Sequence, residues 1–213
     1  MRLKIIGLAA LAAMALMAFA ASSASAKVCA TTGTGEACTT GKVYSGAIEA
    51  TLKTGTSATL TATNSSGSSV STVTCTSSTV KGTVTGSTGA GKISSFTFAT
   101  CSSAACPNGV TASTTASTTN EWPAQATATG SGNGTLAVEK VEGSFVCGTI
   151  LGNITCTYKT AKATTTVTGG EPAHVTATSI PLERVSGAEA TCGTKADWSG
   201  TYVVTNPASL WVY

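Results

Sequence analysis

Apolar and polar side chains alternate with a period of two through most of this chain. The alternation recurs in segments 44–52, 79–85, 154–158 and 198–204. Turn sequences rich in glycine, asparagine and proline separate such segments about every ten residues. No segment after Lys27 keeps an apolar stripe at helical spacing. The pattern predicts an all-β fold, an antiparallel β-sandwich that is immunoglobulin-like or larger.

The first residues predict export. Arg2 and Lys4 precede an apolar run, and a small-residue site follows at Ala24 to Ala26. This arrangement is typical of a signal peptide, and the apolar run is shorter than the roughly 20 residues that a bilayer span needs. We expect residues 1–26 to be a signal helix that is cleaved. Residues 27–213 are then a secreted β-sandwich domain with no membrane segment.

Charged residues make up only 10% of the chain, and threonine, alanine, glycine, serine and valine dominate it. Threonine favours extended backbone and keeps a hydroxyl for the solvent face of a strand. Cleavage would remove Arg2 and Lys4 from the 12 basic residues, which leaves ten against nine acidic residues. The remaining lysines are scattered singly, whereas binding to a phosphate backbone needs several cations on one surface. We therefore expect no nucleic-acid partner.

Eight cysteines follow the predicted cleavage site. An even number of cysteines in an exported chain predicts four disulfides. The cysteines are Cys29, Cys38, Cys75, Cys101, Cys106, Cys147, Cys156 and Cys192.

Two pairing schemes fit the cysteine positions. Segment 73–81 resembles segment 154–162, and an Ala-Thr-Cys sequence follows each of them, which suggests an internal duplication with halves at about 42–118 and 122–213. Pairing equivalent cysteines gives one scheme: Cys75–Cys101, Cys156–Cys192, Cys106–Cys147 and Cys29–Cys38. Short loops give the other scheme: Cys101–Cys106, Cys147–Cys156, Cys75–Cys192 and Cys29–Cys38. The sequence leaves the choice open.

The chain shows no motif of catalytic or metal-binding residues, so we expect no enzymatic activity, no cofactor and no metal. The glycine-rich segment 86–92 resembles a phosphate-binding loop, but Ile93 occupies the position of the magnesium ligand, so we expect a hairpin turn. His174 is the only histidine and has no motif around it. Glu139 and Glu142 would lie on opposite faces of an unbroken strand. A glycoside hydrolase with paired carboxylates is therefore a distant alternative.

Aromatic residues provide the candidate ligand-binding site. Flat rings stack on sugars, and the indole nitrogen adds a hydrogen-bond donor. Trp198 and Tyr202 share strand parity, so we expect them in the core. Trp122 precedes Pro123 near the middle of the chain, and Trp211 lies in a short terminal strand. These two tryptophans are the ones we expect to be exposed and available to a ligand.

Several short motifs carry a family resemblance. They are Val73-Thr74-Cys75-Thr76, Phe96-Thr97-Phe98-Ala99-Thr100-Cys101, Cys156-Thr157-Tyr158 and Trp198-Ser199-Gly200-Thr201-Tyr202. In these motifs the chain resembles a loose group of uncharacterised secreted β-sandwich proteins of high-GC Gram-positive bacteria, which implies no activity. Segment 101–106 is similar to a tight disulfide loop in the apoproteins of the neocarzinostatin type. That likeness favours the Cys101–Cys106 pairing.

Together these patterns predict a non-enzymatic extracellular protein with a structural or adhesive role at the cell envelope. Its expected partners are a cell-wall polysaccharide or an envelope protein. The alternative is a carbohydrate-binding module that uses exposed tryptophan or tyrosine residues.

Overall fold

The computed structural model describes residues 26–31, 38 and 42–213, so all of the predicted signal peptide except Ala26 lies outside the described residues. The all-β prediction is confirmed, because every ladder is antiparallel and the single helix described, α1 (Glu189–Cys192), has four residues. Within the described ranges, no helix has the length and apolar character needed to cross a bilayer. The strands are β1 (Val28–Cys29), β2 (Gly46–Leu52), β3 (Ala58–Thr63), β4 (Ser69–Thr85), β5 (Ala90–Ser102), β6 (Val110–Thr114), β7 (Trp122–Gly130), β8 (Asn133–Thr149), β9 (Gly152–Thr168), β10 (His174–Ser186), β11 (Lys195–Asn206) and β12 (Trp211–Val212).

Strands β2 to β11 form one antiparallel sheet that closes on itself. Its order is β10-β9-β8-β7-β5-β4-β2-β11, and β11 also pairs with β10. Strand β3 lies between β4 and β11 and pairs with both, whereas β6 pairs with β8. Opposite walls face each other across an apolar interior, as in the predicted sandwich. The two predicted halves both contribute to this one sheet, and their duplication stays a prediction.

The long strands change the face that they turn inward partway along their length. In β8, Val138 is buried, and so are Phe145 and Cys147, so the inward positions pass from even to odd numbers. The change occurs at Lys140, whose φ is 57°, outside the extended region. Glu139 and Glu142 consequently lie on the same outer face. The prediction that they lie on opposite faces is wrong, because the strand is broken at Lys140.

The interior contains two apolar clusters. The disulfide core includes five of the cysteines together with Phe145 and Tyr158. The terminal core lies where the chain ends meet, and Val28 and Val212 pack in it. Tyr202 is buried in the terminal core and Trp198 packs against both clusters, which confirms the parity argument that placed these two residues inside.

The four disulfides follow the pairing of equivalent cysteines: Cys29–Cys38, Cys75–Cys101, Cys106–Cys147 and Cys156–Cys192. Register explains the choice, because Cys75 and Cys101 are directly opposed in the β4–β5 ladder. Cys106 lies close to β8, since Val110 at the start of β6 pairs with Cys147. The short-loop scheme is therefore wrong in its other three pairings, whereas Cys29–Cys38, which both schemes contain, is confirmed. The similarity of segment 101–106 to a tight disulfide loop does not extend to its pairing.

Candidate functional site

Trp122, the first predicted ligand-binding residue, is not at the surface. It begins β7 and is 2% exposed, so the prediction of exposure is wrong. Its ring meets Phe96 edge-on at a centroid distance of 6.3 Å, and its Nε1 donates a hydrogen bond to Thr115 Oγ1 at 3.3 Å. The closed sheet turns the first residue of β7 inward, a direction that the neighbouring Pro123 does not reveal.

Trp211, the second predicted ligand-binding residue, is partly exposed. It lies in β12 and pairs with Cys29 of β1. The Cδ1 edge of its ring lies against two glycines, since a Cβ added at Gly132 or Gly169 would lie 2.6 Å from Trp211 Cδ1. That edge of the ring is therefore committed to packing. Trp122 and Trp211 do not form a coplanar pair on the surface, because Trp122 is buried.

Three apolar cavities lie in sequence along the interior of the closed sheet. The seam cavity has a volume of about 70 Å³, the central cavity about 100 Å³ and the terminal cavity about 90 Å³. The seam and central cavities share Phe96, Trp122, Val141 and Trp198. Aromatic rings thus form the partition between two spaces that would otherwise be one.

The seam cavity lies beneath a gap in the sheet. Beyond Ile93, β5 no longer pairs with β7, and the described ladders include none between β5 and β6. The Thr114 hydroxyl donates to the Phe96 carbonyl at 2.8 Å across this gap. We call the gap between residues 94–102 and β6 the seam. Phe96 and Phe98 on one side are only partly buried, and Ala112 lines the cavity from the other side.

A second surface feature is the turn of the β8–β9 hairpin. Ile150 is 86% exposed and Leu151 is 95% exposed, and together we call them the hairpin tip. Thr149 Oγ1 donates to the Gly152 carbonyl at 2.8 Å and accepts from the Leu151 amide at 3.2 Å. Gly152 has a φ of 117°, which a side chain would strain. The sequence signal for this feature was two adjacent apolar residues between glycines in a turn, and sequence reasoning missed it.

The loop before β6 holds the hairpin tip in place. The backbone N–H of Asn108 donates to the Gly148 carbonyl at 3.1 Å, and its side-chain Nδ2 donates to the Thr149 carbonyl at 2.9 Å. The Cys106–Cys147 disulfide joins the same two segments. Backbone hydrogen bonds and a covalent link thus fix the turn, so it presents its side chains with little loss of conformational freedom.

The hairpin tip and the seam lie on stretches of chain without charged side chains. Segments 93–120 and 143–158 contain no aspartate, glutamate, lysine or arginine. They provide most of β5, all of β6, the end of β8 and the beginning of β9. A partner that binds this part of the surface does not have to desolvate a charged side chain, which is a large cost in most interfaces.

Two buried tyrosines line the interior: Tyr158 at the seam cavity and Tyr202 at the central cavity. Burial raises the pKa of the Tyr158 and Tyr202 hydroxyls above the ordinary value of 10.0. Tyr158 donates to the Cys192 carbonyl at 2.5 Å, and Tyr202 shares a hydrogen bond of 3.1 Å with Ser78. Both hydroxyls stay protonated and serve as structural donors rather than as a general base.

The other sequence candidates lie apart. Within segment 86–92, residues 86–89 form the hairpin turn between β4 and β5, as predicted, and residues 90–92 begin β5; a Cβ at Gly86 would approach the Tyr44 carbonyl oxygen to 1.9 Å. His174 lies on β10 opposite Thr168 and Val203. Across the described ranges, no three histidine, cysteine, aspartate or glutamate residues come together as a metal site would require.

No family model, curated protein or solved structure matches this chain.

Proposed function

We propose that this chain is a non-enzymatic extracellular protein with an adhesive role at the cell envelope, and that the hairpin tip makes the contact. The observation that carries this proposal is the near-complete exposure of Ile150 and Leu151 on a turn that is fixed by hydrogen bonds and a disulfide. Exposed large apolar side chains are common singly, but an adjacent pair on a rigid turn is typical of an interaction site.

The energetic argument rests on burial. Covering one aliphatic side chain of this size contributes about 1.5 to 3 kcal/mol, so the pair contributes about twice that before the costs of association. The fixed turn lowers the entropy cost of binding, because its conformation is already selected. The tip and the neighbouring β6 side belong to the uncharged segments 93–120 and 143–158, so a contact confined to them avoids desolvation of charges.

The disulfides support the extracellular part of the proposal. Four bridges join all eight cysteines, which is typical of proteins in an oxidising environment and rare in the reducing cytoplasm. The predicted signal peptide supplies the route of export.

The experiment compares retention on isolated cell envelopes. The oxidised protein of residues 27–213 is tested beside the double variant Ile150→Ser/Leu151→Ser and a control, Val185→Ser. Val185 is 49% exposed on β10, outside the hairpin tip. We expect at least about a tenfold loss of retention for the tip variant and none for the control. Equal retention of the tip variant and the unchanged protein would refute the role of the tip.

The carbohydrate-binding alternative keeps less support than the adhesive role. Trp122 is buried, and Trp211 is only partly exposed, with the Cδ1 edge of its ring against Gly132 and Gly169. A sugar platform would rest on Trp211 alone, and no second exposed ring is placed beside it among the described aromatic contacts.

A further inference from the structure

We propose that the interior of the closed sheet is a binding site for a small, neutral, mostly apolar molecule that carries one hydrogen-bond acceptor, such as a carbonyl oxygen. The seam and central cavities hold this molecule, and the indole N–H of Trp198 donates to its acceptor. Access is through the seam. This site is separate from the hairpin tip, so it stands or falls independently of the adhesive role.

The volumes define the size of the ligand. An apolar cavity of about 150 Å³ stays dry and takes up benzene. The seam cavity of about 70 Å³ and the central cavity of about 100 Å³ are each smaller than that, but together they exceed it. A ligand with six or seven heavy atoms therefore fits only when the partition between the two cavities moves.

Phe96 is the ring of the partition that lies at the seam, so we assign the movement to it. It lies in β5 at the seam and is only partly buried, whereas Trp122 in the same partition is 2% exposed. Phe96 packs edge-on against Trp122 and Trp198. Rotation of its ring toward the seam joins the two cavities without disturbing the buried indole of Trp122.

The acceptor on the ligand follows from an unsatisfied donor. Trp198 lines both cavities, and its Nε1 is fully buried beside them without a hydrogen-bond partner, so an acceptor reaches it once the partition has moved. The other buried hydroxyls around these cavities are satisfied, since Thr165 donates to the Leu136 carbonyl at 3.2 Å and Tyr202 pairs with Ser78. A buried donor without a partner is costly, so a ligand that supplies an acceptor removes this cost.

The neutral character of the ligand follows from the lining. The two cavities are lined almost entirely by apolar atoms, and no carboxylate, lysine or arginine lines them. An ion would lose its hydration there without gaining a counter-charge. A neutral ring or short chain with one polar atom is the chemistry that this lining accepts.

Few hydrogen bonds hold β5 and β6 together at the seam. Strand β3 pairs with strands on both sides, whereas β6 has a ladder on its β8 side only. The Thr114 hydroxyl donates a hydrogen bond across the seam to the Phe96 carbonyl. Separating β5 from β6 by a small amount therefore breaks few hydrogen bonds, and regions with few such bonds open at low free-energy cost.

The test uses two ligands of the same shape, cyclohexanone and methylenecyclohexane, in calorimetric titrations of the oxidised protein. The variant Trp198→Phe removes the donor and keeps an aromatic ring. We expect this variant to bind cyclohexanone at least about fivefold more weakly while methylenecyclohexane binds equally well or more tightly. Equal changes for the two ligands, or failure of both to bind the unchanged protein at millimolar concentration, would overturn the proposal.

A filling variant tests the location. Ala112→Leu places extra atoms in the seam cavity from β6, and Ala99→Leu places the same atoms on the exposed face of β5 as a control. We expect Ala112→Leu to weaken binding of both ligands at least about tenfold and Ala99→Leu to leave it unchanged. Val141→Ile, at the partition, replaces Ala112→Leu if circular dichroism shows that the latter is unfolded. Undiminished binding by a folded filling variant contradicts the assignment of the site.

Discussion

Replacing Trp122 with alanine distinguishes a core tryptophan from a ligand platform. The side chain is 2% exposed, packs on Phe96 and donates to Thr115 Oγ1. Truncation of a buried tryptophan to alanine costs about 3 to 5 kcal/mol, because the transfer free energy is lost and a cavity is left behind. The indole also borders the seam and central cavities, so its removal enlarges space that is already incompletely filled. We expect the free energy of unfolding to fall by about 4 kcal/mol.

The assay is urea unfolding followed by far-ultraviolet circular dichroism, which does not depend on tryptophan fluorescence. With a slope of about 2 kcal/mol per molar urea, the loss corresponds to a midpoint lower by about 2 M. The matched control is Trp211→Ala, which removes a partly exposed indole and lowers the midpoint by less. If Trp122→Ala lowers stability by less than about 1 kcal/mol, Trp122 is not the buried core residue described above.

Two further predictions concern the disulfides and pH. The double variant Cys106→Ser/Cys147→Ser removes a bridge that spans 41 residues and should lower the free energy of unfolding in urea by about 4 kcal/mol. The double variant Cys29→Ser/Cys38→Ser removes a bridge that spans nine residues and should lower it by about 2.5 kcal/mol. Equal losses would contradict the argument from loop entropy. Burial raises the pKa of the Tyr158 and Tyr202 hydroxyls above 10.0, so the folded state holds these protons more tightly than the unfolded state. The contribution of these two tyrosines to the free energy of unfolding should therefore be complete below about pH 10 and decline above it. The check is a titration of the folded protein followed by tyrosinate absorbance. Ionisation of all the tyrosines near pH 10 would contradict the prediction.

Period-two alternation predicted the fold class and part of the core. It placed Tyr202 and Trp198 inside because the two residues share parity within one uninterrupted stretch of β11. The same rule failed for Glu139 and Glu142, since it assumes that a strand keeps one face inward throughout. Lys140, with its φ of 57°, changes that face, and a lysine gives no signal of such a break as a glycine would.

Long-range register decided what the sequence left open. Both cysteine schemes were compatible with the spacing, and the choice came from Cys75 and Cys101 being opposed on neighbouring strands. Trp122 was misplaced for a related reason, because its direction is set by the pairing of Ile93 with Trp122 at the end of the β5–β7 ladder. Local sequence contains the propensity for a strand but not the identity of its neighbour.

The placement of two disulfides fits the separate behaviour of the seam. The Cys75–Cys101 bridge fastens β5 to β4, and the Cys106–Cys147 bridge fastens the approach to β6 to β8. Each border of the seam is thus joined covalently to the strand behind it, and neither bridge crosses the seam. Opening between β5 and β6 then leaves both borders anchored, so the cavity becomes accessible without unfolding the disulfide core. A bridge engineered across the seam should therefore prevent ligand uptake while leaving the hairpin tip unaffected.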